Sequence, residues 1–313
     1  MLFDKSATTI DEQIALLAER GLDVSSEELT RRWLKTVGYY RLSAYWLPYE
    51  LPPEADQTRS KQFRPGVRFE DVVDIYTFDR KLRLLVTEAI ERIEISVRSR
   101  WTNRLALKHG AHAHMKPSLF VSGWNHARMI ASLSDRAGES REVFVEHYRA
   151  KYDDPYMPPL WAVTELMTFG ELSKWVEATK DAGLRGAVAK DIGLPTQETL
   201  TGTLQLLSYT RNICAHHGRL WNRRTVKRAP NIKRFHHSLV WDEDAAEGQR
   251  QLSNRLYNVL TILLLLMRHQ ASDTTFPERL VSLVRTRSVE QQRSMGFPDD
   301  WATRPAWMVS GAN

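Results

Sequence analysis

The chain has 313 residues, 42% of them hydrophobic and 26% charged, with a formal net charge of +6. Those proportions describe a globular protein that can bury a core, and exclude a disordered or fibrous chain. The single cysteine, Cys214, excludes an internal disulfide and favours a reducing compartment. The positive balance suits a polyanionic partner, although solubility alone would account for it.

In chain order, MLFDKSATTIDEQ carries an early acid and no long apolar core, so no signal peptide is expected. Residues 9–20 predict a short amphipathic helix capped by Thr9 and stopped by Gly21. Residues 25–37 predict a second, opened by Ser25 or Ser26 and ended by Gly38. The aromatic run Tyr39, Tyr40, Arg41, Tyr45 and Trp46 can be core or a base-stacking surface. Residues 51–66 are polar and rich in proline and predict a linker or loop between an N-terminal segment, 1–50, and a bundle, 67–290; 291–313 reads as a tail.

The strongest helical period lies in 70–108, where Leu82, Leu85, Ala89, Ile93, Val97 and Trp101 recur at three- and four-residue steps. Glu91, Glu94 and Arg98 share another face as a supporting polar network, with Glu94 and Arg98 able to pair one turn apart. A loop at 111–123 follows, then helices near 124–136 and 140–150. Residues 160–182 read as one or two helices broken near Gly170, and 197–217, 245–270 and 277–286 as further helices. The apolar run 259–267 is shorter than the roughly 20 residues of a membrane span, so it predicts a buried helix and no membrane partner. No repeat and no useful strand pattern is visible, and the expected fold is an all-α helical bundle.

The end of the 197–217 helix holds RNICAHHGRLWNRR. Arginine followed by histidine at this spacing is uninformative by itself, since Arg104–His109 and Arg141–His147 repeat it. Helical position says more: at roughly 100° per residue, Leu204, Leu207, Arg211 and Cys214 fall within about 40° of Leu200. Arg211 is therefore expected on the core-facing stripe, either paired to an acid such as Glu91 or Glu94 or held for phosphate. Ser208, Asn212 and His216 form a polar strip. His217 falls on an apolar flank and is expected to be a packed structural histidine, leaving His216 as the catalytic candidate and His217 as the alternative. Arg211 and His216 lie about 140° apart on a straight helix, so they converge on one phosphate only through a bend, a long reach or a second copy. After the motif, Arg219, Arg223, Arg224, Lys227, Arg228, Lys233 and Arg234 run without an acid, interleaved with Trp221 and Asn222. Cations can neutralise phosphates and a ring can stack on an unpaired base; a solvated surface is the plainer alternative.

His109, His112 and His114 lack a cysteine or acid to complete a metal set, so they read as loop histidines and no metal is expected. No phosphate loop, Ser–His–Asp set or dinucleotide fingerprint is present, and no small-molecule cofactor is expected.

YYRLSAYW, the block from FEDVVDIY to SVRSRW, PPLWAVTELMTFGELSKW and RNICAHHGRLWNR together resemble the Abi-like (abortive infection) family of bacterial phage-defence proteins, over roughly 10–285. That family resembles the HEPN superfamily of helical, usually dimeric and often metal-independent RNases. The resemblance implies a cytoplasmic bacterial protein whose motif falls on Arg211, Asn212 and His216. It implies attack by the RNA's 2′-hydroxyl to leave a 2′,3′-cyclic phosphate, with His216 moving protons, Arg211 stabilising phosphate charge and a homodimer supplying a second histidine. A non-catalytic protein that binds a small structured or non-coding RNA is the alternative. A DNA-binding helix-turn-helix at 9–37 fits less well, because Trp33, Leu34 and Val37 are not groove-reading residues.

Overall fold

The computed structural model describes residues 6–53, 58–242, 250–271 and 273–309. Among them the architecture is all-α, with thirteen α-helices, short 3₁₀ turns and one two-stranded sheet. The chain separates into two compact units, 1–83 and 84–313.

In the first unit, α1 (Ile10–Glu19) opens on a reciprocal cap between Thr9 and Glu12. α2 (Glu27–Thr36) packs on it, with Glu27 and Glu28 at its positive end. The aromatic run is itself a helix, α3 (Tyr39–Trp46), which buries Leu42, Tyr45 and Trp46. Trp46 meets Tyr39 and Phe63 edge-on, so the rings of Tyr45 and Trp46 are core, while Tyr40, 92% exposed, and Arg41 face outward. After it, Leu51 donates to the Gln62 carbonyl and Phe63 to that of Arg20, and the buried Phe63 ring fastens the returning chain.

α4 (Phe69–His109) is a single helix over the whole of the strongest period. Its first part carries Asp79 and Arg83, 0% and 6% exposed, which pair with each other. The Tyr45 hydroxyl donates to Asp79 Oδ2 at 2.7 Å, and Arg83 Nη1 reaches the same hydroxyl at 3.2 Å. Burial, then the Asp79 charge, pushes the Tyr45 phenol well above its ordinary range.

The second unit contains the rest of α4, then α5 (His126–Glu139), α6 (Val143–Lys151), α7 (Leu160–Val163), α8 (Phe169–Ala178), α9 (Ala182–Asp191) and α10 (Gln197–Ala215). After these come the hairpin β1 (Trp241–Asp242) and β2 (Gln251–Leu252), then α11 (Leu256–Gln270), α12 (Phe276–Arg285) and α13 (Val289–Ser294).

Three expectations need correction. The break in 160–182 falls at Thr164–Thr168, where Thr168 and Glu171 cap α8. Gly170 lies inside the first turn instead, and a Cβ there would sit 3.2 Å from Ser208 Oγ, so it lets α10 approach. The helix expected from 245 starts at Leu256, because Gln251–Leu252 pairs as a strand with Trp241–Asp242; 245–249 lies outside the described residues. α9 and α13 were not expected. α11 is buried on nearly all sides; Phe297 and Trp307 pack against its Tyr257, and Trp301 packs on both of those rings. α10 packs on α8 and α9, so its far end is held by the core of this unit.

Removing one partner of a buried ion pair strands the other charge. Asp79→Ala should therefore cost about 3–5 kcal/mol in urea unfolding; a loss below about 1 kcal/mol would show that the pair is not desolvated as placed. Glu171 adds a pH dependence. Burial pushes its carboxyl up, but Arg136, with hydrogen bonds at 2.7 and 2.5 Å, and the Thr168 cap outweigh it and bring it down to about 2 from 4.5. A depressed folded-state value gives stability that is present above 4.5 and is lost as pH falls towards 2. Acid unfolding of Glu171→Gln should be flatter through that window than that of the parent.

Candidate nucleic-acid interface

α10 begins at a Thr196 cap and buries Leu200, Leu204, Leu207 and Cys214 along one face, as its period predicts. Arg211 is the exception on that stripe: it is half-buried, its long stem carrying the guanidinium outward. Among the described residues it pairs with neither Glu91 nor Glu94. Its Nη1 donates to Asn212 Oδ1 at 3.3 Å. Glu94 is taken by Arg98 at 2.6 Å, and Arg98 also donates to the Thr164 and Met167 carbonyls. That arrangement ties α4 to the turn before α8, while Glu91 is exposed and outside it. The polar strip rises out of the core: Ser208 is buried against Gly170, whereas Asn212 and His216 are exposed.

The helix ends in a defined way. His216 is the last half-helical residue, its N–H bonded to the Asn212 carbonyl at 3.0 Å. The His217 N–H donates to the Cys214 carbonyl and the Gly218 N–H to that of Ile213, at 3.0 and 2.8 Å. This double closure needs a left-handed residue between them, usually glycine. Here it is His217, with φ +55°. His217 is exposed, which corrects its expected packed position: a helical projection has no meaning one residue past the helix end. Histidine is among the residues that tolerate this region, at some cost.

The basic segment then runs across the second unit on buried anchors. Leu220, Trp221, Thr225, Ala229 and Ile232 are buried, and Arg224, Lys227, Arg228, Lys233 and Arg234 between them are exposed. Trp221, 1% exposed, is core and offers no face to a base, contrary to expectation. Asn222 is a half-buried turn residue with φ +49°. Arg219 is half-buried, and its carbonyl accepts from Arg223 Nη1 at 3.2 Å. A Cβ on Gly218 would lie 3.8 Å from that same nitrogen, which places a cation beside the end of α10. Arg224 bridges to Arg255, Arg228 pairs with Asp242 at 2.7 Å, and the Arg234 guanidinium lies 4.6 Å from the centre of the Phe235 ring.

Of the loop histidines, His114 is fully buried, and burial, then His112 and His126, brings it down to about 3. Among the described residues no three His, Cys, Asp or Glu side chains gather as a metal set. No described helix is long and apolar enough to cross a membrane.

Arg255, Arg293 and Trp241, which line a cleft beside Arg224 and Arg228, escaped sequence reasoning. They come from separate segments, and none has a local pattern that marks it.

The site thus defines an all-α protein that presents an Arg–Asn–His set at one helix end, followed by an anchored cationic segment. The model of the Abi-like protein family matches residues 32–222, and the chain belongs to that family. Membership links it to abortive infection, a form of phage defence. No curated protein and no solved structure matches the chain. The matched span includes Arg211, Asn212 and His216 and stops before Arg223.

Glycine is the natural residue at the position of His217. His217→Gly should keep the helix end and leave stability within about 1 kcal/mol of the parent. His217→Val, forced into the same φ, should lose about 1–2 kcal/mol in thermal unfolding. Equal stability of the two variants would mean that the left-handed turn does not persist in solution.

Proposed function

We propose that the chain is an RNA-cleaving effector that acts on the ribose–phosphate backbone as a homodimer. The observation that carries this reading is that Arg211 and Asn212 are hydrogen-bonded to each other in the last turn of α10 and His216 is exposed at its cap, with no acid paired to Arg211 among the described residues. Arg211 offers a planar fork for phosphate, oriented by Asn212. His216 offers an imidazole, which can serve as a general base or a general acid.

In the reaction, the 2′-hydroxyl oxygen attacks the adjacent phosphorus and its proton passes to a basic imidazole. The bond from phosphorus to the 5′-oxygen breaks, and an acidic imidazole returns a proton to that oxygen. The products are a 2′,3′-cyclic phosphate and a 5′-hydroxyl. Arg211 offsets the charge that builds on the phosphate oxygens. Each chain offers one such histidine, so a two-fold pair of chains supplies both proton carriers. The exposed cations from Arg224 to Arg234 hold the strand.

The test is cleavage of total RNA with mapping of the end groups. Arg211→Ala and His216→Ala should each lower cleavage by at least about a hundredfold while the protein stays folded. His217→Gly should retain it, because the helix end survives. A substrate with 2′-deoxyribose at the scissile position should resist, and chelators should have no effect. Cleavage that survives His216→Ala and fails in His217→Gly would move the role to His217. RNA that binds with no cleavage would favour the non-catalytic reading, in which the same surface holds a structured RNA partner.

A further inference from the structure

Away from the end of α10, the second unit holds a cleft of about 820 Å³. Such a volume lies within the roughly 300–1,000 Å³ of sites that enclose a small ligand. Four arginines line it, Arg224, Arg228, Arg255 and Arg293, against two acids, Asp242 and Asp299. The acids are committed. Asp242 pairs with Arg228 at 2.7 Å, and Asp299 holds Arg293 through two hydrogen bonds of 2.7 and 2.9 Å. Burial raises the Asp242 carboxyl, but Arg228, Ser253 and the Arg224 charge together hold it below the ordinary carboxylate range, so it remains a fixed anion. Arg224 and Arg255 are left without an ion pair among the described residues.

Arg255 is not a loosely solvated side chain. Its Nη1 donates to the Ser294 carbonyl at 2.7 Å. Its stem crosses Gly296, where a Cβ would lie 2.5 Å from Arg255 Cβ and 2.9 Å from Cδ. Gly296 has φ +88°, so both its conformation and the space demand glycine. Arg255 is also the residue before the first turn of α11, which places the positive end of a fifteen-residue helix at the cleft. On the opposite strand Trp241 is half-buried, with its ring 5.8 Å from the Arg250 guanidinium and edge-on to His236 at 5.0 Å. An aromatic ring beside arginines that have no ion pair among the described residues matches the two parts of a nucleotide, a flat base and a phosphate.

We propose that this cleft is a nucleotide subsite of a single-stranded RNA, with a phosphate held by Arg224 and Arg255 and the adjoining base against Trp241. The assignment rests on the reading of the chain as an RNA-binding protein and adds where the strand is gripped beyond the cleavage motif. Arg224 belongs both to the basic segment and to the cleft, so a strand that follows the exposed cations enters here.

The experiment measures binding of a short fluorescein-labelled single-stranded RNA to the full chain carrying His216→Ala, so that cleavage does not interfere, across a range of salt. Arg224→Gln and Arg255→Gln should each raise Kd about tenfold and lower the salt slope by about one. Trp241→Ala should raise Kd by about tenfold with the slope kept. Arg255→Gln also breaks a backbone contact; Arg224→Gln does not, so a folding defect in the first leaves the second decisive. Wild-type affinity and slope in Arg224→Gln and in folded Trp241→Ala would overturn the subsite. Adenosine monophosphate is the second probe. Its binding lost in these variants while RNA binding is untouched would assign the cleft to a free nucleotide and overturn the RNA assignment. Cleavage by the unmutated chain is scored separately. Cleavage with no dependence of binding on the cleft sinks the subsite alone, whereas cleft-dependent binding with no cleavage sinks the nuclease reading alone.

Discussion

The way α10 stops governs the rest of the site. Its last free carbonyls, on Ile213 and Cys214, are taken by the N–H groups of Gly218 and His217. Those bonds are obtained only by turning the chain through a left-handed residue. The turn ends the polar strip at His216 and sends the chain sideways, so that Leu220 and Trp221 drop into the core straight afterwards. The cations that follow are thereby laid over the second unit on buried anchors. Were the helix to continue, the same residues would leave the surface as a free arm. One backbone closure thus exposes the Arg–Asn–His set and sets the course of the basic segment.

The core and the caps were legible in the sequence because both act over a few residues. The Thr9 cap and the long apolar period of α4 were visible as patterns and were found as such, the reciprocal partner Glu12 coming from the structure. The errors have physical causes. Gly170 was read as a breaker, but its lack of a side chain admits Ser208 of a neighbouring helix, a requirement no local window contains. Trp221 was read as exposed because cations surround it in the sequence; burial was decided by what lies beneath that segment. His217 was assigned by a helical angle past the point where the helix exists. The motif residues were singled out by helical position and family resemblance, spacing alone being uninformative, whereas nothing in the sequence marked the cleft. Arg224, Trp241, Arg255 and Arg293 come from four segments, and Gly296 beside them closes α13 as an ordinary helix-end glycine, so it gave no sign of the cleft.

The charge distribution sharpens the functional reading. Outside the basic segment, arginines are mostly spent on acids or carbonyls: Arg31, Arg98, Arg104, Arg136 and Arg304 all have such partners. Each exposed pair adds little stability, on the order of 0–1 kcal/mol, but each removes a charge from the field the protein projects. Along 219–234, Arg228 pairs with Asp242, while Arg224, Lys227, Lys233 and Arg234 are exposed. Seven cations and no acid stand within 219–234, a distribution that supports the proposed polyanion partner.

That concentration also bears on how two copies meet. Like charges within a Debye length, about 8–10 Å at ordinary salt, repel. Two chains that bring the ends of α10 together also bring together Arg211, Arg223 and their neighbours. An RNA backbone between them reverses the sign of that interaction, since each phosphate faces cations from both sides. On the proposed function, a second histidine and a bound strand would then arrive in the same step. In the proposed homodimer, the pairing that would supply both proton carriers is weakest when no substrate is present, which would keep the proposed cleavage site apart until a strand occupies it.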